Sequence, residues 1–157
     1  MNLINNMPNT YTQLYIQIVF AVKGRECAVR ESFREELQKY ISGIITNKKQ
    51  KLMAIWCMPD HTHILVSIQP DIAISDLVRD VKSNSSSFLK EKEFINNFSW
   101  QSGFGAFSYS KSQTANVVNY ILNQPAHHQQ KTFQEEYLEF LNKFEIDFDE
   151  KYLFEFY

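Results

Sequence analysis

The stretch Met58-Pro59-Asp60-His61-Thr62-His63-Ile64-Leu65-Val66 decides the fold of this chain. Its Pro-Asp turn signal runs straight into an alternating, partly β-branched segment, which reads as a strand. Side chains i and i+2 of a strand share one face, so His61 and His63 point the same way and Thr62 points opposite. Two imidazoles side by side on a rigid strand make half of a metal site. Downstream, Tyr120-Ile121-Leu122-Asn123-Gln124 falls in a helical pattern. Residues four apart share a helix face, so Tyr120 and Gln124 lie one turn apart on the same stripe. A His pair, an amide oxygen and a tyrosine together point to metal-assisted phosphoryl transfer with a covalent tyrosine intermediate.

The chain around these motifs has 157 residues, enough for about one domain with a sizeable core. Apolar residues make up 44%, with thirteen Phe, eight Tyr and two Trp, which excludes a disordered chain. Cys27 and Cys57 form no CxxC pair, so neither a zinc knuckle nor a disulfide framework is expected. Residues 1–8 lack the basic start and apolar stretch of a signal peptide. The best apolar run, Ile16 to Val22, is interrupted by Gln17 and far too short to span a bilayer. A soluble, cytoplasmic protein is the expectation, with no membrane partner.

Net charge is −2, but the charge is unevenly placed. Residues 134–157 carry eight acids against Lys143 and Lys151, or −6, while residues 1–133 carry 14 Lys and Arg against 10 acids, or +4. A modestly basic body with an acidic C-terminal segment is compatible with local phosphate contacts.

Working outward, residues 1–10 read as a loose polar leader and residues 11–157 as one domain. Tyr11 to Val22 reads as a strand. Arg30 to Asn47 is an amphipathic helix, with Phe33, Leu37, Tyr40, Ile41 and Ile44 at helical spacing. Leu52 to Met58 is a buried strand that turns into the His strand, ending near Ile68. Ile74 to Lys92 reads as a helix opened by Ser75. Residues 93–103 are irregular, and 103–110 form a short strand. Ser112 can cap the helix bearing Tyr120, and Pro125, without an N–H, ends or kinks it after Gln124. Thr132 starts a last helix to about Phe144.

The order β-α-β-β-α-β-α predicts an α+β fold: a ferredoxin-like (split βαβ) antiparallel sheet with helices on one face and an added C-terminal tyrosine-bearing helix. The His61/His63 face is expected to be the open one, because Thr62, Ile64, Val66 and Ile68 form the apolar face. Leu65 on the His face does not fit that picture.

The run Met58 to Val66 resembles the HUH motif (His, hydrophobic, His) of the single-tyrosine transposases carried by the smallest bacterial insertion sequences. Ile74-Ser75-Asp76-Leu77-Val78 with Lys82-Ser83-Asn84-Ser85-Ser86 resembles that family's second helix. Trp100 to Ser108 resembles its final core strand, and Tyr120 to Gln124 with His127-His128 its nucleophile helix. The resemblance runs from about Tyr11 to the C-terminus, with all blocks in order. Thr62 departs mildly, being only partly hydrophobic.

That resemblance implies a metal-dependent single-stranded DNA transposase. His61 and His63 would bind a divalent metal, Mg²⁺ or Mn²⁺, with Gln124 as third ligand. Tyr120 would be the nucleophile, leaving a 5′-phosphotyrosine and a free 3′-OH. The implied partners are single-stranded DNA with subterminal hairpins and a second copy of the chain in a homodimer. Arg79, Lys82, Lys90, Lys92 and Lys111 are candidate phosphate contacts, and His127 and His128 are candidate DNA contacts at the surface.

Two other readings compete. One is a domesticated relative acting on chromosomal palindromes with the same catalytic residues. The other is a single-stranded nucleic-acid-binding module that uses aromatic stacking and survives loss of Tyr120. A two-histidine phosphodiesterase fails, because His61 and His127 do not head two His-x-Thr/Ser motifs.

Overall fold

The structure, a computed structural model, describes residues 9–157. The expected leader lies outside these residues except for Asn9 and Thr10. The chain runs β1 (Tyr15–Ala21), α1 (Glu31–Asn47), β2 (Lys51–Cys57), β3 (His61–Ser67), α2 (Ile74–Glu91), β4 (Gly105–Tyr109), α3 (Thr114–Leu122), α4 (Gln124–His127) and α5 (Phe133–Lys143). The strands form one antiparallel sheet in the order β2-β3-β1-β4. The α+β class and the β-α-β-β-α-β order read from the sequence are both observed.

Alternation of side chains divides the sheet into two differently used faces. One face presents Ile18, Phe20, Val22, Ile64 and Val66 to the stripes of α1 (Phe33, Leu37, Ile41, Ile45) and α2 (Leu77, Val78, Val81, Leu89). Full burial of each such large apolar side chain contributes about 1.5–3 kcal/mol. The irregular segment after α2 closes this core: Trp100 meets Phe20 and Phe98 edge-on, each at 4.8 Å, and its Nε1 donates to Ser85 Oγ at 3.0 Å.

The second face is covered, not open as the sequence led us to expect. Val19, Ala21 and Phe107 pack under Phe133, Tyr137, Phe140 and Leu141 of α5, and Ala54 and Leu65 pack under Val117 and Ile121 of α3. Leu65, which did not suit an open face, is fully buried here. The acidic segment is thus no free tail, because its apolar residues recur at helical spacing and cover the sheet.

Two expected caps differ. Ala73, not Ser75, precedes α2, and no side chain caps it. The turn into α3 is closed by Ser110 and Gln113, which exchange hydrogen bonds in place of Ser112. Thr132 does open α5, in a reciprocal pair with Glu135.

Candidate active site

β3 carries His61 and His63 on the face beneath α3 and α5, and both are fully buried. Asp60, in the turn just before the strand, accepts the His61 Nδ1 proton at 2.6 Å. That contact leaves Nε2 of His61 facing the centre of the site. Phe133 lies flat on the His61 ring, with centroids 4.0 Å apart and planes within 1°. His63 is held at Nδ1 by Gln17 of β1 at 2.9 Å, and its Nε2 lies 2.8 Å from Glu136 Oε1.

The helix carrying the tyrosine breaks at Asn123, one residue before Gln124 rather than just after it as expected. α3 ends at Leu122, and Pro125 occupies the first turn of the short α4. This break turns Gln124 inward to full burial. Its Oε1 lies 3.2 Å from His61 Nε2 and 2.9 Å from His128 Nε2, and its Nε2 donates to Glu136 Oε2 at 3.1 Å. Tyr120, one turn earlier and half-buried, donates its hydroxyl to the same Glu136 oxygen. Its ring meets His63 edge-on at 6.0 Å. His61, His63, Tyr120 and Gln124 therefore converge.

Glu136 is the centre of this group, and the sequence reading counted it only among the acids of the C-terminal segment. It stands inside the apolar stripe of α5, between Phe133 and Tyr137, and is 2% exposed. A carboxylate in a buried stripe needs partners, and that misplaced charge was the available signal. His128, expected at the surface, turns inward: it is 10% exposed and lies 3.3 Å from Glu136 Oε2. His127 stays outside and packs on Tyr120 with centroids 4.6 Å apart.

The charges follow from these contacts. Burial opposes ionisation of Glu136, but hydrogen bonds from His128, His61 and His63 outweigh it and hold the carboxyl far below its ordinary range. Burial lowers His63. Burial would also lower His61, but Asp60 and Glu136 push it up to about 9. Burial, then the Glu136 charge, raises the Tyr120 hydroxyl well above the usual phenol, so it stays protonated in the metal-free site.

The arrangement fits a divalent cation. His61, His63, His128 and Glu136 each offer one ligand atom, all within 4.8 Å of one another. Gln124 Oε1 faces the same point. Imidazole nitrogens with carboxylate and amide oxygens suit a borderline or hard divalent ion. A cleft of about 350 Å³, lined by Gln17, Tyr109, Asn116, Tyr120, Glu136 and Lys143 among others, leads from solvent to the tyrosine.

Four of the five candidate phosphate contacts lie elsewhere. Arg79, Lys82 and Lys90 sit on α2, and Lys92 follows it, in the layer on the opposite side of the sheet from the His pair. Arg79 pairs with Asp76 at 3.0 Å. Lys82 donates to the carbonyls of Gln101 and Gly103 at 2.8 and 2.5 Å. Lys90 and Lys92 are exposed. Lys111, on the turn before α3, stands over the Tyr15 ring. Among the described residues no helix is long and apolar enough to cross a membrane.

A strand-borne His pair under a helical tyrosine, on this sheet, defines the class of tyrosine transposases with an HUH-type site. The chain belongs to the family described as "Transposase IS200 like", whose profile matches residues 10–124. It is similar to the ISDra2 transposase TnpA of Deinococcus radiodurans, at 27% identity over 119 residues, spanning 71% of this chain and 84% of that protein. It is also similar to the transposase for insertion sequence element IS200 of Salmonella typhimurium, at 28% over 117 residues, spanning 68% and 74%. Two solved structures share the fold. One is a crystal structure of a Deinococcus radiodurans R1 transposase (TM-score 0.61, 21% identity, 77% of this chain and 98% of that one). The other is a REP-associated tyrosine transposase bound to a REP hairpin (TM-score 0.58, 16% identity, 80% and 74%). The family match ends at Gln124, so His128 and Glu136 come from beyond it.

Proposed function

We propose that this chain cleaves and rejoins single-stranded DNA at hairpin-marked ends, with Tyr120 as the nucleophile and residues 11–157 acting as one domain. The observation that carries the reading is the convergence of the Tyr120 hydroxyl, His61, His63 and Gln124 on one buried point. His61, His63 and Gln124 would hold Mg²⁺ or Mn²⁺, joined by Glu136. The chemistry supplied by such an ion is neutralisation of charge on a non-bridging phosphate oxygen, together with its orientation.

The chain's own groups do the rest. A phosphodiester entering the cleft of about 350 Å³ meets the Tyr120 hydroxyl at its inner end. Glu136 Oε2 already accepts that hydroxyl's hydrogen bond and is the first acceptor for its proton. The Tyr120 oxygen bonds to phosphorus, the bond from phosphorus to the 3′-oxygen breaks, and the 3′-oxygen leaves as a free hydroxyl carrying the proton that Glu136 took from Tyr120. Attack by a second 3′-hydroxyl on the 5′-phosphotyrosine reverses these events and joins strands without a nucleotide cofactor.

The solved neighbour bound to a hairpin supports hairpin DNA as the partner. A homodimer belongs to the same proposal. Because Tyr120 already faces the His pair of its own chain, a second copy would pair two DNA ends rather than complete the site. The test is incubation with end-labelled single-stranded hairpin DNA and Mn²⁺ or Mg²⁺, resolved on a denaturing protein gel. A metal-dependent covalent band absent from Tyr120→Phe is expected. Binding without any covalent species would favour a nucleic-acid-binding module.

A further inference from the structure

Gln17 is a glutamine on the inner face of the central strand, fully buried, in a run that is otherwise apolar. Burying an amide is costly unless both its ends are bonded. Both are: Nε2 donates to His63 Nδ1 at 2.9 Å, and Oε1 accepts from the Tyr109 hydroxyl at 2.8 Å. The register explains the reach. Val19 pairs with His63 and Tyr15 with Tyr109, so Gln17 lies diagonally beside both on the same face.

The two histidines are thereby held differently. Asp60 accepts from Nδ1 of His61, the arrangement that leaves Nε2 available to a cation. Gln17 instead donates to Nδ1 of His63, which puts the ring proton on Nε2, where it bonds Glu136 Oε1 at 2.8 Å. A nitrogen carrying that proton cannot ligate. For His63 to serve as a ligand, the proton must reside on Nδ1 and the group facing Nδ1 must accept.

We propose that Gln17 is a positioning residue for the metal site: its side-chain amide, anchored on Tyr109, sets which nitrogen of His63 carries the proton, and it reverses end for end when a divalent cation binds. After reversal Gln17 Oε1 accepts from His63 Nδ1–H, and Nε2 donates to the Tyr109 oxygen. The imidazole is neutral before and after, so the exchange conserves its proton count. Tyr109 lines the cleft that leads to Tyr120, and its hydroxyl becomes free to donate into that cleft only in the cation-bound arrangement. The inference rests on the reading of His61 and His63 as metal ligands.

Long-range ¹H–¹⁵N spectra of the ¹⁵N-labelled full chain test this, with Zn²⁺ as a diamagnetic probe of imidazole ligation. His63 is expected as the Nε2–H form without metal and the Nδ1–H form with Zn²⁺, whereas His61 keeps its Nδ1 proton throughout. Mn²⁺ affinity, from the paramagnetic signal of free ion, is expected to fall about 10–100-fold in Gln17→Leu. Gln17→Glu, whose carboxylate accepts from Nδ1 as Asp60 does, is expected to bind at least as tightly as the native chain, an order that a purely structural role does not produce. Zn²⁺ ligation by both imidazoles with His63 in one unchanged form, or unaltered Mn²⁺ affinity in Gln17→Leu, would overturn the inference alone. No response of either imidazole to Zn²⁺ would remove the metal site and this inference with it. The native-chain spectrum decides the matter even if Gln17→Leu does not fold.

Discussion

The Tyr120 hydroxyl and the Glu136 carboxylate, from α3 and α5, are hydrogen-bonded to each other at the centre of the buried site. The same carboxylate bonds His63 Nε2 at 2.8 Å through its other oxygen. The proposed nucleophile and a proposed metal ligand therefore share one acceptor. Tyr120→Phe removes the proposed nucleophile and leaves the His63, Gln124 and His128 contacts to Glu136 in place. The variant is expected to form no covalent DNA adduct while binding Mn²⁺ within about threefold of the native chain, a modest allowance for one lost contact. Isothermal titration alongside the gel assay checks both halves.

Glu136 balances the positive charge of His61 in a site without water access from most sides. Glu136→Ala strips that balance from a buried cation and is expected to cost about 3–5 kcal/mol in metal-free protein near pH 6. Glu136→Gln keeps the shape and loses the charge, so it should cost less and still weaken Mn²⁺ binding. Urea unfolding of the two variants, in parallel, would contradict this account if they matched the native midpoint.

The pH dependence of stability has a defined sign. His61 is raised in the folded chain to about 9 from 6.5, so its contribution is full below pH 6.5 and is lost as pH rises through about 9. His63 is lowered by burial, so its contribution is lost as pH falls below 6.5. Metal-free protein is expected to melt highest near pH 6.5. Asp60→Asn, which removes the first charge raising His61, should flatten the alkaline limb and weaken Mn²⁺ binding about tenfold. Melting curves from pH 5 to 10 would decide it; an alkaline limb of native steepness in Asp60→Asn would count against this origin.

Gly105 lets α5 approach the sheet. A Cβ there would stand 2.8 Å from the Tyr137 hydroxyl and 2.9 Å from its ring. Gly105→Ala is expected to destabilise by about 1–3 kcal/mol, the usual cost of overpacking. Hydrogen exchange should quicken in α5 before it quickens in β1 or β3. Uniform protection across the three elements would mean that the contact does not hold α5 down.

The order of elements was legible because each declares itself locally: alternation in β3, helical spacing in α1, Thr132 at the start of α5. His61, His63, Tyr120 and Gln124 were legible as two short motifs. Their closure was not. Nothing local distinguishes Glu136 from its acidic neighbours except its place in an apolar stripe. Likewise Gln17 looked like an interruption until register placed it beside His63. The expected open face failed for the same reason, since coverage by α5 depends on packing between residues far apart in sequence.

The residues that meet at this site lie far apart along the chain, with Gln17 on β1 and Glu136 on α5. A nonsense codon between Tyr120 and Glu136 would leave β1 to β4 and Tyr120 translated. It would delete the carboxylate and the Phe133 ring that lies on His61. Termination between Tyr120 and Glu136 would therefore uncover Val19, Ala21 and Phe107 of the sheet and remove the carboxylate that Tyr120, His63 and Gln124 share.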